Sequence, residues 1–113
     1  MVRVGLVGCG TIGSQLALSI QRSYRGVAHL IALHDRDRTH AETLQRRLSP
    51  RPAILSLSEL IRTSQLIIEA ASADAAADLV PRALRANRRV LVMSVGGLLR
   101  NPGWRALARR SSG

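Results

Sequence analysis

The chain alternates short apolar blocks with longer stretches in which apolar residues recur every three or four positions. Val2 to Val7 is a compact β-branched run that predicts a buried strand, and glycines close it. From Thr11 to about Arg22, Ile12, Leu16 and Ile20 stand four apart, the spacing of one helical face. "AHLIALHD", residues 28–35, predicts a second strand ending on an acid. Beyond it, Thr39 and Glu42 stand in capping-box relation, and Ala41, Leu44 and Leu48 form the stripe of a helix that Pro50 and Pro52 end. "AILSL" (53–57) predicts a short third strand, with Ser58 capping a brief helical turn through Ile61.

"QLIIEAAS" (65–72) is a fourth strand, and Ser72 suits the N-cap of the helix after it. In that helix Ala76, Leu79, Val80, Ala83 and Leu84 repeat at helical spacing, and Pro81 predicts a kink rather than a break. "RVLVMSVGG" (89–97) is a fifth strand, followed by Asn101 and Pro102 at the start of a last helix carrying Trp104 and Leu107. Strands alternating with helices call for a parallel sheet, and right-handed crossovers leave few topologies. The expected fold is a single α/β domain over residues 1–113, a doubly wound parallel sheet of strand order 3-2-1-4-5 with helices on both faces. Its crevice lies at the carboxyl ends of the first and fourth strands.

Composition changes this picture little. Phe is absent, and one Trp and one Tyr are the aromatic residues, so the core is aliphatic. The net charge of +10 suggests nucleic acid at first, but all 17 basic residues are arginines scattered from Arg3 to Arg110. Without a basic run or interleaved aromatic residues for base stacking, nucleic-acid binding is not expected. One cysteine, Cys9, excludes an internal disulfide and offers no thiolate partner for a metal, so a reducing, cytoplasmic setting is expected. No segment approaches the ~20 apolar residues of a membrane span.

The chemistry is concentrated in "GLVGCGTIGSQLA", residues 5–17, with glycines at Gly8-x-Gly10-x-x-Gly13. Alone, such a match is weak. Here it follows a predicted strand, opens a predicted helix and is answered by Asp35 at the end of the next strand, which makes it the dinucleotide fingerprint. Gly8 allows the tight turn, Gly10 lets a pyrophosphate reach the backbone, and Gly13 permits close packing of helix on strand. The N–H groups of Thr11 and Ile12 then face the anion with the helix dipole behind them. Asp35 suits the ribose hydroxyls of NAD, while Arg36 is either a solvated side chain or the partner of a 2′-phosphate, so both NAD and NADP are expected. Cys9 is expected to fill space beside the cofactor rather than act as a nucleophile. Glu69 is either a buried functional acid or a solvent-facing residue at the sheet's rim. His29, His34 and His40 are expected to be structural, and no metal site is expected.

These segments together resemble the amino-terminal NAD(P)-binding, Rossmann-like domain of the L-aspartate dehydrogenase family. The matching stretches are "VGLVGCGTIGSQLA", "ALHDRD", "SLSELI", "LIIEAAS" with a helix carrying "LVP", and "VLVMSVGGLL". The resemblance implies hydride transfer from L-aspartate to NAD(P), giving iminoaspartate, or the reverse amination of oxaloacetate, in NAD biosynthesis. It implies that Cys9 to Ile12 hold the pyrophosphate, Asp35 and Arg36 the adenosine ribose, and that Ala71, Ser72, Ser94, Val95 and Gly96 line the nicotinamide side. The family's catalytic histidine and substrate pocket belong to a second domain, which is absent from these residues, so no catalytic residue is expected here. The amino-acid substrate would bind only with that domain, and the open edge of the fifth strand points to homo-oligomers. Homoserine dehydrogenases and dihydrodipicolinate reductases share the glycine motif and remain alternatives, as does a stand-alone domain that senses NAD(P)H.

Overall fold

A computed structural model describes residues 1–94, which form a five-stranded parallel sheet with four helices. Strands β1 (Val2–Val7), β2 (Ala28–His34), β3 (Ala53–Ile54), β4 (Leu66–Glu69) and β5 (Arg89–Val92) lie in the order β3-β2-β1-β4-β5. This is the expected doubly wound order, and its reversal between β1 and β4 puts a crevice at their carboxyl ends. Helices α1 (Thr11–Ser23) and α2 (Arg38–Arg46) pack on one face, where Val4, Leu6, Leu30, Leu33, Ala41, Leu44, Leu48 and Ile68 form a core. Helices α3 (Leu57–Thr63) and α4 (Ala73–Arg85) cover the other, with Val7, Ala32, Leu60, Ile67, Leu79 and Ala83 between them.

Side chains alternate between these faces along β1. In β2 the alternation slips once: Val4 pairs with Leu30 but Gly5 with Ala32, so Ile31 is an extra residue opposite an irregularity of β1. The slip lets Leu30 and Leu33, three apart, enter the same core. Gly5 has no side chain because α3 lies there; a Cβ would overlap the Ser64 hydroxyl and approach Leu60 Cδ2 to 2.8 Å.

Four expectations are corrected. The buried residues of α1 are Gly13 and Ala17, with Leu16 and Ile20 only partly covered, while Ile12 is 57% exposed. Small residues rather than large ones make that contact because the helix sits close against the strand and loop beneath it. Helix α2 is capped by Asp37, whose carboxylate accepts from Thr39 N–H at 3.0 Å, and not by Thr39. Helix α3 is capped by Ser56 in a complete capping box with Glu59, two residues before Ser58, so β3 stops at Ile54 and Leu57 is helical. The fifth strand ends at Val92; its expected continuation over 95–97, and the helix expected from Asn101 with Trp104 and Leu107, lie outside the described residues. Helix α4 runs unbroken through Pro81, with Ser72 as its cap as expected. None of the described helices is long and apolar enough to cross a membrane.

Candidate functional site

Backbone hydrogen bonds continue the pairing of β1 with β2 and with β4 past the carboxyl ends of the strands. Gly8 N–H donates to His34 C=O at 2.8 Å, and Ala70 N–H to Val7 C=O at 2.8 Å. Gly8 takes φ of +102°, and a Cβ there would lie 2.6 Å from the Ala70 carbonyl carbon and the Ala71 nitrogen. Only glycine allows the two turns to touch in this way. Gly13 is required for a related reason, since its Cβ would run into the Gly8 carbonyl oxygen. Gly10 differs from both: a Cβ would meet nothing within 4 Å. The space in front of it is open.

Helix α1 begins at that open glycine. Its N-cap residue, Gly10, offers no side-chain acceptor, whereas α2, α3 and α4 are capped by Asp37, Ser56 and Ser72. Ser14 N–H is the first to be satisfied within the helix, by Gly10 C=O at 2.8 Å. Thr11 and Ile12, in the exposed first turn, therefore present their N–H groups where the helix dipole is positive. The site fits a diphosphate by this observation: donors without a side-chain cap, beside a backbone no Cβ shields.

Asp35 stands just past the end of β2, and its carboxylate ties two turns together. Oδ2 accepts from Cys9 N–H at 2.7 Å and Oδ1 from Asp37 N–H at 2.8 Å. A cleft of about 130 Å³ opens beside it, bordered by Gly8, Asp35, Arg36 and Ala71 with Leu57 and Asp78. Four of the expected residues thus share one cleft.

Cys9 lies beneath the loop, 4% exposed, with Sγ 3.7 Å from His34 C=O. Burial, together with the Asp35 charge, pushes its thiol up to about 12. Such a thiol is a poor nucleophile, and its side chain packs into the core on the α1–α2 face. His34 holds Leu55 C=O through Nδ1 at 3.0 Å, a structural contact between β2 and the segment after β3. No group of three or more potential metal ligands occurs among the described residues.

At the end of β4, Glu69 is fully buried, which overturns the solvent-facing reading and leaves the buried one. Its Oε2 accepts from Ala71 N–H (2.7 Å), Ser72 N–H (3.1 Å) and the Ser94 hydroxyl (3.0 Å), and its Oε1 from Ser94 N–H (2.9 Å). The carboxylate binds the β4–α4 turn to the segment after β5. Ala71, Ser72 and Ser94 are brought together by it, with the Ser72 hydroxyl spent on capping Ala75 N–H. Val95 and Gly96 lie outside the described residues.

A larger cleft, about 490 Å³, opens at the opposite end of the sheet beside Gln21, Arg25, His29 and Pro50. Its lining is mostly apolar and the Gln21 amide is already held by Ser49 and Pro50. Convergent, unspent polar groups mark a binding site better than size does, and they occur at the glycine loop.

Residues 8–112 match the family described as homoserine dehydrogenase, NAD binding domain. The chain is 38% identical over 98 residues to an L-aspartate dehydrogenase of Methanocella arvoryzae, and 40% over 99 residues to one of Methanosarcina acetivorans. Each alignment covers 87% of this chain and 36% of the relative, so the chain spans little more than a third of those proteins. Among solved structures, UDP-N-acetylglucosamine 3-dehydrogenase GnnA of Acidithiobacillus ferrooxidans superposes with a TM-score of 0.81 at 16% identity, over 96% of this chain and 34% of that one. Biliverdin reductase of Synechocystis sp. PCC 6803, solved with biliverdin and NADP+, gives 0.78 at 20% identity, over 96% and 35%. These two likenesses concern the fold.

Proposed function

Because this chain belongs to the family of homoserine dehydrogenase NAD-binding domains, we propose that it is the cofactor-binding part of an NAD(P)-dependent dehydrogenase acting on L-aspartate. The observation that carries the binding site is the open turn: α1 starts without a side-chain cap, at a glycine facing empty space. In this reading the N–H groups of Thr11 and Ile12 hold the pyrophosphate over Gly10, while Gly8 and Gly13 keep the loop in shape. Cys9 forms its floor, with its N–H fixed on Asp35. Asp35 has lone pairs left to accept from the adenosine ribose hydroxyls, and Arg36 stands beside it to meet a 2′-phosphate. Ala71, Ser72 and Ser94, with Val95 and Gly96, border the nicotinamide side.

When bound, the nicotinamide ring takes up or gives a hydride. With L-aspartate as donor at its α-carbon, the product is iminoaspartate, which water converts to oxaloacetate and ammonia. The groups that hold the amino acid and move its protons belong to chain outside these 113 residues. Identity near 40% to L-aspartate dehydrogenases favours that substrate; homoserine is the second reading, favoured by the family's description. A cytoplasmic setting accords with a buried, reduced Cys9. Leu91 and Met93, about half exposed on and after edge strand β5, are candidates for a contact between copies.

Calorimetry of the full-length protein tests the site. NAD and NADP, oxidised or reduced, are expected to bind; Gly10→Val removes both, and Asp35→Ala weakens NAD more than NADP. No heat with any of them, or unchanged affinity in Gly10→Val, overturns the assignment. Turnover of homoserine without turnover of L-aspartate selects the second reading.

A further inference from the structure

His40, in the first turn of α2, faces two carboxylates at once. Its Nδ1 lies 3.7 Å from Asp35 Oδ1 and its Nε2 3.6 Å from Asp37 Oδ2. Both separations are too long for a hydrogen bond, so a neutral ring gains little there. A protonated ring has a donor on each nitrogen and places a positive charge between the two acids. Of these groups Asp35 lines the cleft, with Arg36 beside it.

We infer that His40 is a positioning residue for cofactor choice: protonated, it compensates the Asp35 carboxylate and lets the ribose subsite accept a 2′-phosphate, so preference shifts from NAD toward NADP as pH falls. The inference rests on the dinucleotide-binding function proposed above. A free 2′-hydroxyl is a neutral donor and gains from an unshielded Asp35, whereas a 2′-phosphate brings negative charge against that same carboxylate. Neutralising Asp35 therefore acts on the two cofactors in opposite directions.

The two carboxylates are the charged groups in contact with the ring, and further charged or titratable groups stand on the adjoining segments. Asp35 comes from the end of β2, and Arg36 and Asp37 from the turn after it. On α2 itself are Arg38 and Glu42, which approach each other to 4.0 Å. From the glycine loop comes Cys9, whose buried thiol stays neutral with its pKa at about 12. At 57% side-chain exposure the ring can be replaced without disturbing a core.

The test compares NAD and NADP affinities of the full-length protein at about pH 5.5 and about pH 8.5, for wild type, His40→Gln and His40→Arg. From high to low pH, the ratio of the NADP to the NAD dissociation constant should fall about three- to fivefold further in wild type than in His40→Gln, the scale of an exposed ion pair. Titration of the 2′-phosphate itself is common to all variants and cancels in that comparison. His40→Arg should hold a low ratio at both pH values. Identical profiles for wild type and His40→Gln overturn the role of His40 and leave dinucleotide binding standing; failure of wild type to bind NAD at either pH overturns both.

Discussion

Two strand-to-helix turns meet at the centre of the sheet, β1–α1 and β4–α4, and they solve the same problem in opposite ways. Each must satisfy the free N–H groups of a helix start next to its neighbour's backbone. The β4–α4 turn does so internally: Ser72 caps the helix, and Glu69 collects the N–H groups of Ala71 and Ser72 with both donors of Ser94. The β1–α1 turn has no side-chain acceptor at its N-cap, and the one carboxylate near it, Asp35, takes from that turn only Cys9 N–H, its other oxygen being held by Asp37 N–H. Adjacent, topologically equivalent turns differ in that one is closed by its own side chains and the other is left open in front of Gly10. The closed turn is the wall against which the open one is built, since Gly8 rests on the Ala70–Ala71 peptide.

The difference predicts where mutations cost stability and where they cost binding. The largest stability loss is expected for Glu69→Ala, which leaves a cavity in place of a fully buried carboxylate and strands the part-buried donors of Ala71, Ser72 and Ser94 around it. About 3–5 kcal/mol should disappear in denaturant unfolding, and cofactor affinity should fall with it because the wall loosens. A loss under about 1 kcal/mol would mean that water replaces the carboxylate and that the closed turn is less dry than its burial indicates.

Gly8→Ala comes next, at about 2–4 kcal/mol, because it combines a positive φ with overlap onto backbone that cannot rotate away. Thermal melts of this variant beside Gly10→Ala separate the two glycines cleanly. Equal melting points would dissolve the distinction between a glycine that shapes the loop and one that keeps space free.

Much of this was legible in the sequence, and the failures have physical causes. The bounds of β1, the Ser72 cap and the strand order follow from local patterns. The cap of α3 was also written there, as Ser56 with Glu59 three residues on, but Ser58 competes with it in "SLSEL". Asp37 outcompetes Thr39 because its own N–H is held by Asp35, which turns the chain into α2 early. Helical spacing groups the large apolar residues of α1 on one face, but close approach to Gly8 demands small ones at the contact, Gly13 and Ala17. Glu69 could not be read locally: its burial depends on Ser94, which only strand pairing brings near. The pairing of His40 with Asp35 likewise requires knowing how α2 leaves β2.

The smallest stability effect carries the sharpest test of the open turn. Gly10 has φ of −78°, which any L-residue adopts, and a Cβ there meets no atom within 4 Å. Replacing it by alanine reduces the freedom of the unfolded chain at no steric cost, so Gly10→Ala should leave stability unchanged or raise it by about 0.4–1 kcal/mol. On the proposed function the same methyl group stands in the way of the diphosphate, and NAD affinity should drop at least about tenfold, roughly 1.4 kcal/mol. Opposite signs in the two measurements are what an unfilled, ligand-facing glycine requires. Were Gly10→Ala to lose stability instead, Gly10 would be serving the fold as Gly8 does, and the turn would owe its glycine to packing.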